Sequence, residues 1–113
     1  MDKYWVENWL KDWFKKYRIE NYIINEDLSV DVNGDVNLYA RSLVGCPLEV
    51  GGNFYCYGNF LSSLEGCSKR IVGNFNCGEN KLSSLESGPV SVGGNFNCSN
   101  NRLVVGWSRV CWW

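Results

Sequence analysis

The pentapeptide Gly52-Asn53-Phe54-Tyr55-Cys56 returns as Gly73-Asn74-Phe75-Asn76-Cys77 and again as Gly94-Asn95-Phe96-Asn97-Cys98, each copy 21 residues after the last. A chain that repeats at so short a period has few folds open to it. One copy is too small to bury its own apolar side chains, so consecutive copies must stack and share a core. Inside each copy apolar and polar residues alternate, the pattern of a half-buried strand. That pattern turns Val50, Gly52, Phe54 and Cys56 inward and Asn53, Tyr55 and Tyr57 outward, and the later copies follow suit. Leu61, Leu82 and Leu103 then turn back into the core, as do Leu64 and Leu85. The return segment is too short for a helix, so each coil is expected to add one strand and come back through irregular turns.

Upstream the repeat weakens. Gly34-Asp35-Val36-Asn37-Leu38 is an imperfect first copy that lacks a counterpart of Ser62-Ser63-Leu64. Before it, Leu28-Ser29-Val30-Asp31-Val32 alternates, and Asn25-Glu26-Asp27 has turn chemistry. A hairpin of residues 22–24 against 28–32 is expected. Residues 2–17 read as an amphipathic helix capped by Asp2, with Trp5, Val6, Trp9, Leu10, Trp13, Phe14 and Tyr17 on one stripe. A membrane-surface helix can carry such a stripe. The mixed charges opposite it, and the need of a solenoid for a terminal cover, favour a cap. The expected fold is α+β and mostly β: a short parallel-β solenoid of about four coils. Residues 1–33 form its helix-and-hairpin cap, 34–106 the coils and 107–113 an aromatic C-terminal cap, all one structural domain.

The chain has no histidine, which removes Ser-His-Asp and Cys-His catalysis and imidazole metal ligands. Its six cysteines include no close pair of the kind zinc sites use. Cys56, Cys77 and Cys98 share one repeat position and Cys46 and Cys67 another, so they read as small, reduced core residues. Gly51-Gly52-Asn53 and Gly93-Gly94-Asn95 precede strands and lack a following Gly-Lys-Ser/Thr, so they are read as sites of close backbone packing, not phosphate loops. Glu26, Asp27, Asp31 and Asp35 read as a solvated strand face in preference to a calcium site. No catalytic residue, metal or cofactor is expected. Met1-Asp2-Lys3-Tyr4 opens a charged amphipathic pattern, not an apolar leader, and no stretch approaches the roughly 20 apolar residues of a membrane span. A cytoplasmic protein without membrane contact is expected. With a net charge of −1, the scattered Lys69, Arg70, Lys81 and Arg102 count against nucleic acid as the partner.

Phe75-x-Cys77-x-x-Asn80-x-Leu82 follows the leucine-rich-repeat template L-x-L-x-x-N-x-L, with Phe and Cys in apolar slots. Asn59 and Asn101 hold the same place in their copies, and Arg41 holds it in the first, so a ladder of buried asparagines should begin at Asn59 and continue through Asn80 and Asn101. With its helix, its I-N-x-D-x-S-V-D-V hairpin and its tandem copies, the chain resembles, over residues 1–106, the short leucine-rich-repeat-like proteins of tailed bacteriophages and bacteria. That resemblance implies a catalytically silent protein of the infected cell's cytoplasm, one version being an inhibitor of host immunity of the anti-CRISPR type.

What remains is a surface for protein recognition. Outward positions stack in rows: Asp35, Asn53, Asn74, Asn95; then Asn37, Tyr55, Asn76, Asn97; then Tyr39, Tyr57, Gly78, Ser99. Tyrosine and asparagine suit protein contacts. Asn37, Tyr39, Tyr55, Tyr57, Phe60, Asn76 and Asn97 are therefore the candidate partner-binding residues. The alternative is a self-assembling protein that forms a homodimer through Trp107, Trp112 and Trp113 at its aromatic end.

Overall fold

Each repeat folds into two short strands, because its glycines turn a corner that alternation alone does not reveal. The computed structural model describes residues 3–103. In it, helix α1 (Lys3–Lys16) is followed by β1 (Tyr22–Ile24), β2 (Val30–Val32), β3 (Val36–Asn37), β4 (Glu49–Val50), β5 (Phe54–Tyr55), β6 (Arg70–Ile71), β7 (Phe75–Asn76), β8 (Ser91–Val92) and β9 (Phe96–Asn97). Five strands form one sheet in the order β1-β2-β4-β6-β8, and four form a second in the order β3-β5-β7-β9. The β1–β2 hairpin is antiparallel and every other pair is parallel. The result is a β-solenoid of about three turns behind one helix. Asp2, Gly106, Trp107, Trp112, Trp113 and the C-terminal cap expected over 107–113 lie outside the described residues.

Identical residues lie over one another. Phe54 pairs in register with Phe75, and Phe75 with Phe96, in the second sheet, while Val50, Ile71 and Val92 align in the first. The single strand expected over residues 50–56 is thus corrected to two strands, with a corner between Val50 and Phe54. At the corner the backbones of successive coils touch: the Gly73 N–H donates to the Gly52 carbonyl at 2.9 Å, and the Gly94 N–H to that of Gly73 at 2.8 Å. A Cβ on Gly73 would lie 2.8 Å from the Gly52 oxygen, so only glycine permits this approach.

Inside, the phenylalanines meet edge to face, with centroids 5.6 Å apart for Phe54–Phe75 and 5.0 Å for Phe75–Phe96. Cys56, Cys77, Leu61, Leu64 and Leu82 are buried with them in the core. Burial pushes the Cys67 and Cys77 thiols up to about 12 and those of Cys46 and Cys56 upward as well, which suits neutral core residues. These four are free thiols, whereas Cys98 is disulfide-bonded, a departure from the all-reduced set expected.

Helix α1 covers the first coil with Leu10 and Phe14, while Val6, Trp13 and Tyr17 are half-buried against the core. Its stripe is wider than the end it covers, so Trp5 and Trp9 remain exposed. The helix stops in a Schellman turn. The Ile19 N–H donates to the Phe14 carbonyl at 2.9 Å and the Arg18 N–H to that of Lys15 at 3.2 Å, with Arg18 at φ 57°. The buried Phe14 and Ile19 are the two residues whose contact accompanies such a turn. The acidic hairpin residues serve the turn: Asp27 accepts the Ser29 hydroxyl and N–H at 2.6 and 3.0 Å, which lowers its carboxyl pKa, and Asn25 Nδ2 donates to Asp31 at 3.2 Å.

Candidate interaction surface

Where the second strand of each coil ends, the chain folds inward and its backbone groups lose their sheet partners. Asparagine side chains replace them. Asn80 Oδ1 accepts the N–H groups of Asn59 and Leu61, each at 2.9 Å. Asn80 Nδ2 donates to the carbonyls of Cys56, Cys77 and Gly78 at 3.0, 2.9 and 3.1 Å. Asn59 reaches back to the Leu38 and Cys56 carbonyls at 2.8 and 3.1 Å. Asn101 accepts the Leu82 N–H at 2.9 Å and donates to Cys77 and Cys98, each at 3.0 Å. The residue before each asparagine is left-handed: Gly58 at φ 68°, Glu79 at 54° and Asn100 at 57°.

A second ladder runs where a free outer row was expected. Asp35 Oδ1 accepts the Asn53 N–H at 2.7 Å, Asn53 Oδ1 that of Asn74 at 2.8 Å, and Asn74 Oδ1 that of Asn95 at 2.8 Å. This row braces the corners and is not an unengaged contact surface. The next row is also partly used. Asn76 Oδ1 accepts the Gly78 N–H at 2.9 Å, and Asn97 Oδ1 accepts the N–H and hydroxyl of Ser99 at 3.0 and 2.8 Å. Asn76 and Asn97 are half-buried and hold local turns, while Asn37 is exposed.

The aromatic residues are the outward part. Tyr39 is 73% exposed, Phe60 63% and Tyr57 42%. Tyr55 is half-buried and meets Tyr57 edge-on at 6.5 Å. Phe60 sits at φ 60°, a conformation uncommon for a bulky residue, whereas Lys81, its counterpart one coil on, has no positive φ. The Arg41 guanidinium and the Lys81 ammonium lie 5.8 and 5.1 Å from its ring centroid. Neither cation is in an ion pair among the described residues. Arg41, expected only as the first copy's stand-in for a ladder asparagine, lies instead against this ring. The signal was there: Phe60 is the aromatic at a repeat position that Lys81 and Arg102 otherwise hold. Of the cations weighed for nucleic acid, Arg70 pairs with Glu49 at 3.4 Å and Lys69 donates to the Ser87 carbonyl at 3.3 Å. Trp107, Trp112 and Trp113 lie outside the described residues, so the dimer surface expected there does too.

Among the described residues no helix is long and apolar enough to cross a membrane, and no cluster of His, Cys, Asp or Glu could hold a metal ion. The fold and its ladders define a class, the parallel β-solenoid braced by asparagines. No family model, curated protein or solved structure matches the chain.

Proposed function

We propose that the protein is a non-catalytic interaction module that binds another protein stoichiometrically and occludes a working surface of it. The observation that supports this reading is the exposed aromatic group Tyr39, Tyr57 and Phe60, with Tyr55 beside it, carried on coils that ladders of hydrogen bonds hold rigid. Rigid aromatic side chains offer contact area at low entropic cost, and such residues dominate interface energetics. Asn37 flanks the group with free polar capacity, while the Oδ1 atoms of Asn76 and Asn97 are already engaged in local turns. The phage-like pattern of the repeats makes a bacterial immune protein, met in the host cytoplasm, the first target class to test.

The test is a defence-inhibition assay in bacteria, paired with a binding assay on purified immune effectors. Tyr55→Ala combined with Tyr57→Ala should leave the circular dichroism spectrum unchanged and abolish both inhibition and binding. Unchanged inhibition by that variant removes the aromatic wall as the docking surface.

A further inference from the structure

The two sheets differ by one strand. The first has five, because β1 closes its N-terminal edge, and the second has four, with β3 at the corresponding edge. At the place a fifth strand would take lies a cavity of about 540 Å³, bounded by Asp35, Asn37 and Tyr39 on one side and by the end of α1, from Lys16 to Ile19, on the other.

One wall of this cavity is a backbone edge. The N–H groups of Val36 and Leu38 donate across the sheet to the carbonyls of Asn53 and Tyr55 at 2.8 and 2.9 Å. Strand alternation therefore turns the N–H and C=O of Asn37 the opposite way, toward the vacant place. The inner rungs show what such groups receive: the Phe54 and Cys56 N–H groups donate to the carbonyls of Asn74 and Asn76 at 2.8 and 2.9 Å. By the same repeat positions the carbonyls of Asp35 and Asn37 await a donor, and among the described residues none reaches them. The corner ladder is open at the same end. Asn53, Asn74 and Asn95 each give their N–H to the side chain one coil earlier, but among the described residues no side chain receives the N–H of Asp35.

We propose that this vacant rung is a binding site for an extended polypeptide segment, which adds beside β3 as a fifth strand. Strand addition of this kind draws affinity from main-chain hydrogen bonds and specificity from side chains at alternate positions. Lys15, Lys16 and Arg18 stand at the helix end with no carboxylate in ion-pair reach among the described residues, so the segment carries an acidic side chain on that side. Over Asp35 it carries asparagine, which supplies the missing ladder oxygen without a second carboxylate. The site shares Asn37 and Tyr39 with the rim of the aromatic group but is built on the backbone edge of β3, so it goes beyond the function proposed above and stands without it.

The probe is a displayed library of random octapeptides, panned against the purified protein, with selected peptides then measured by fluorescence anisotropy. Asn37→Ala should bind them within about twofold of the unaltered protein, because the side chain is not the contact. Asn37→Pro removes an N–H that the internal ladder does not use and should weaken binding about tenfold or more. Exchange of the Asn37 amide hydrogen in the unaltered protein should slow when peptide is bound, a readout that holds even if the proline variant fails to fold. Arg18→Glu should shift selection away from acidic peptides. The proposal is overturned if no peptide is enriched, or if selected peptides leave Asn37 exchange unchanged. It is equally overturned if their binding is lost in the Tyr55→Ala, Tyr57→Ala variant and kept in Asn37→Pro, which would place them on the outer wall.

Discussion

Replacing Asn80 by alanine removes a buried side chain that makes five hydrogen bonds. The cost follows from which partners lose everything. The Cys56 carbonyl keeps Asn59 Nδ2, the Cys77 carbonyl keeps Asn101 Nδ2, and the Gly78 carbonyl keeps the Gly58 N–H. The N–H groups of Asn59 and Leu61 have no second acceptor among the described residues. Two orphaned buried donors at about 1–3 kcal/mol each put the loss at about 2–6 kcal/mol, a large share of the ~5–15 kcal/mol by which domains are stable. Asn59→Ala strands only the Leu38 carbonyl, since Asn80 still serves Cys56, and should cost about half as much. Asn80→Asp keeps the acceptor for both N–H groups but turns a second oxygen toward three carbonyls, and should do no better than alanine near neutral pH. Urea unfolding followed by circular dichroism measures all three, with a constant slope as the sign that one transition is compared. An Asn80→Ala loss below about 1 kcal/mol, or one equal to that of Asn59→Ala, would refute the assignment of the cost to stranded donors.

Other expectations follow from the same geometry. Gly73→Ala would press its Cβ on the Gly52 carbonyl and should cost about 3 kcal/mol or more, whereas Gly58→Ala has open space and should cost only the ~1–2 kcal/mol of its left-handed φ; equal midpoint shifts in thermal melts would contradict the corner contact. Ser87, at φ 66°, stands where Gly45 and Gly66 have φ 100° and 87°, so Ser87→Gly should raise stability by up to about 1 kcal/mol, read as a higher urea midpoint. Alkali should unfold the protein. Cys67 and Cys77 rise from 9.0 to about 12 on folding, so their contribution is complete below pH 9.0 and is lost as pH climbs from there toward 12. Each thiol should remove about 1.4 kcal/mol per pH unit in that window, and a urea midpoint that stays flat between about pH 8 and 10 would contradict it.

The stacking of Phe54, Phe75 and Phe96, the β1–β2 hairpin and the helical start were legible in the chain itself, because each is written as a period along it: 21 residues for the coils, 2 for the strands and 3.6 for the helix. The place of Asn59, Asn80 and Asn101 was legible too, since a polar residue at a fixed offset inside an apolar repeat marks a bend. Tertiary structure decided the rest. Alternation reads the same in a straight strand and in one that bends, so the corner between Val50 and Phe54, and with it the second sheet, depended on glycine backbones meeting one coil away. The row from Asp35 to Asn95 looked solvent-facing because the N–H that each side chain accepts lies 18 or 21 residues further on. Which aromatic residues of α1 are covered depended on the width of the coil beneath them, and the vacant edge beside β3 on a hairpin that closes one sheet and not its neighbour. Local pattern sets what a segment can be; only the packed neighbour determines which of its hydrogen-bonding groups are satisfied and which are left to act.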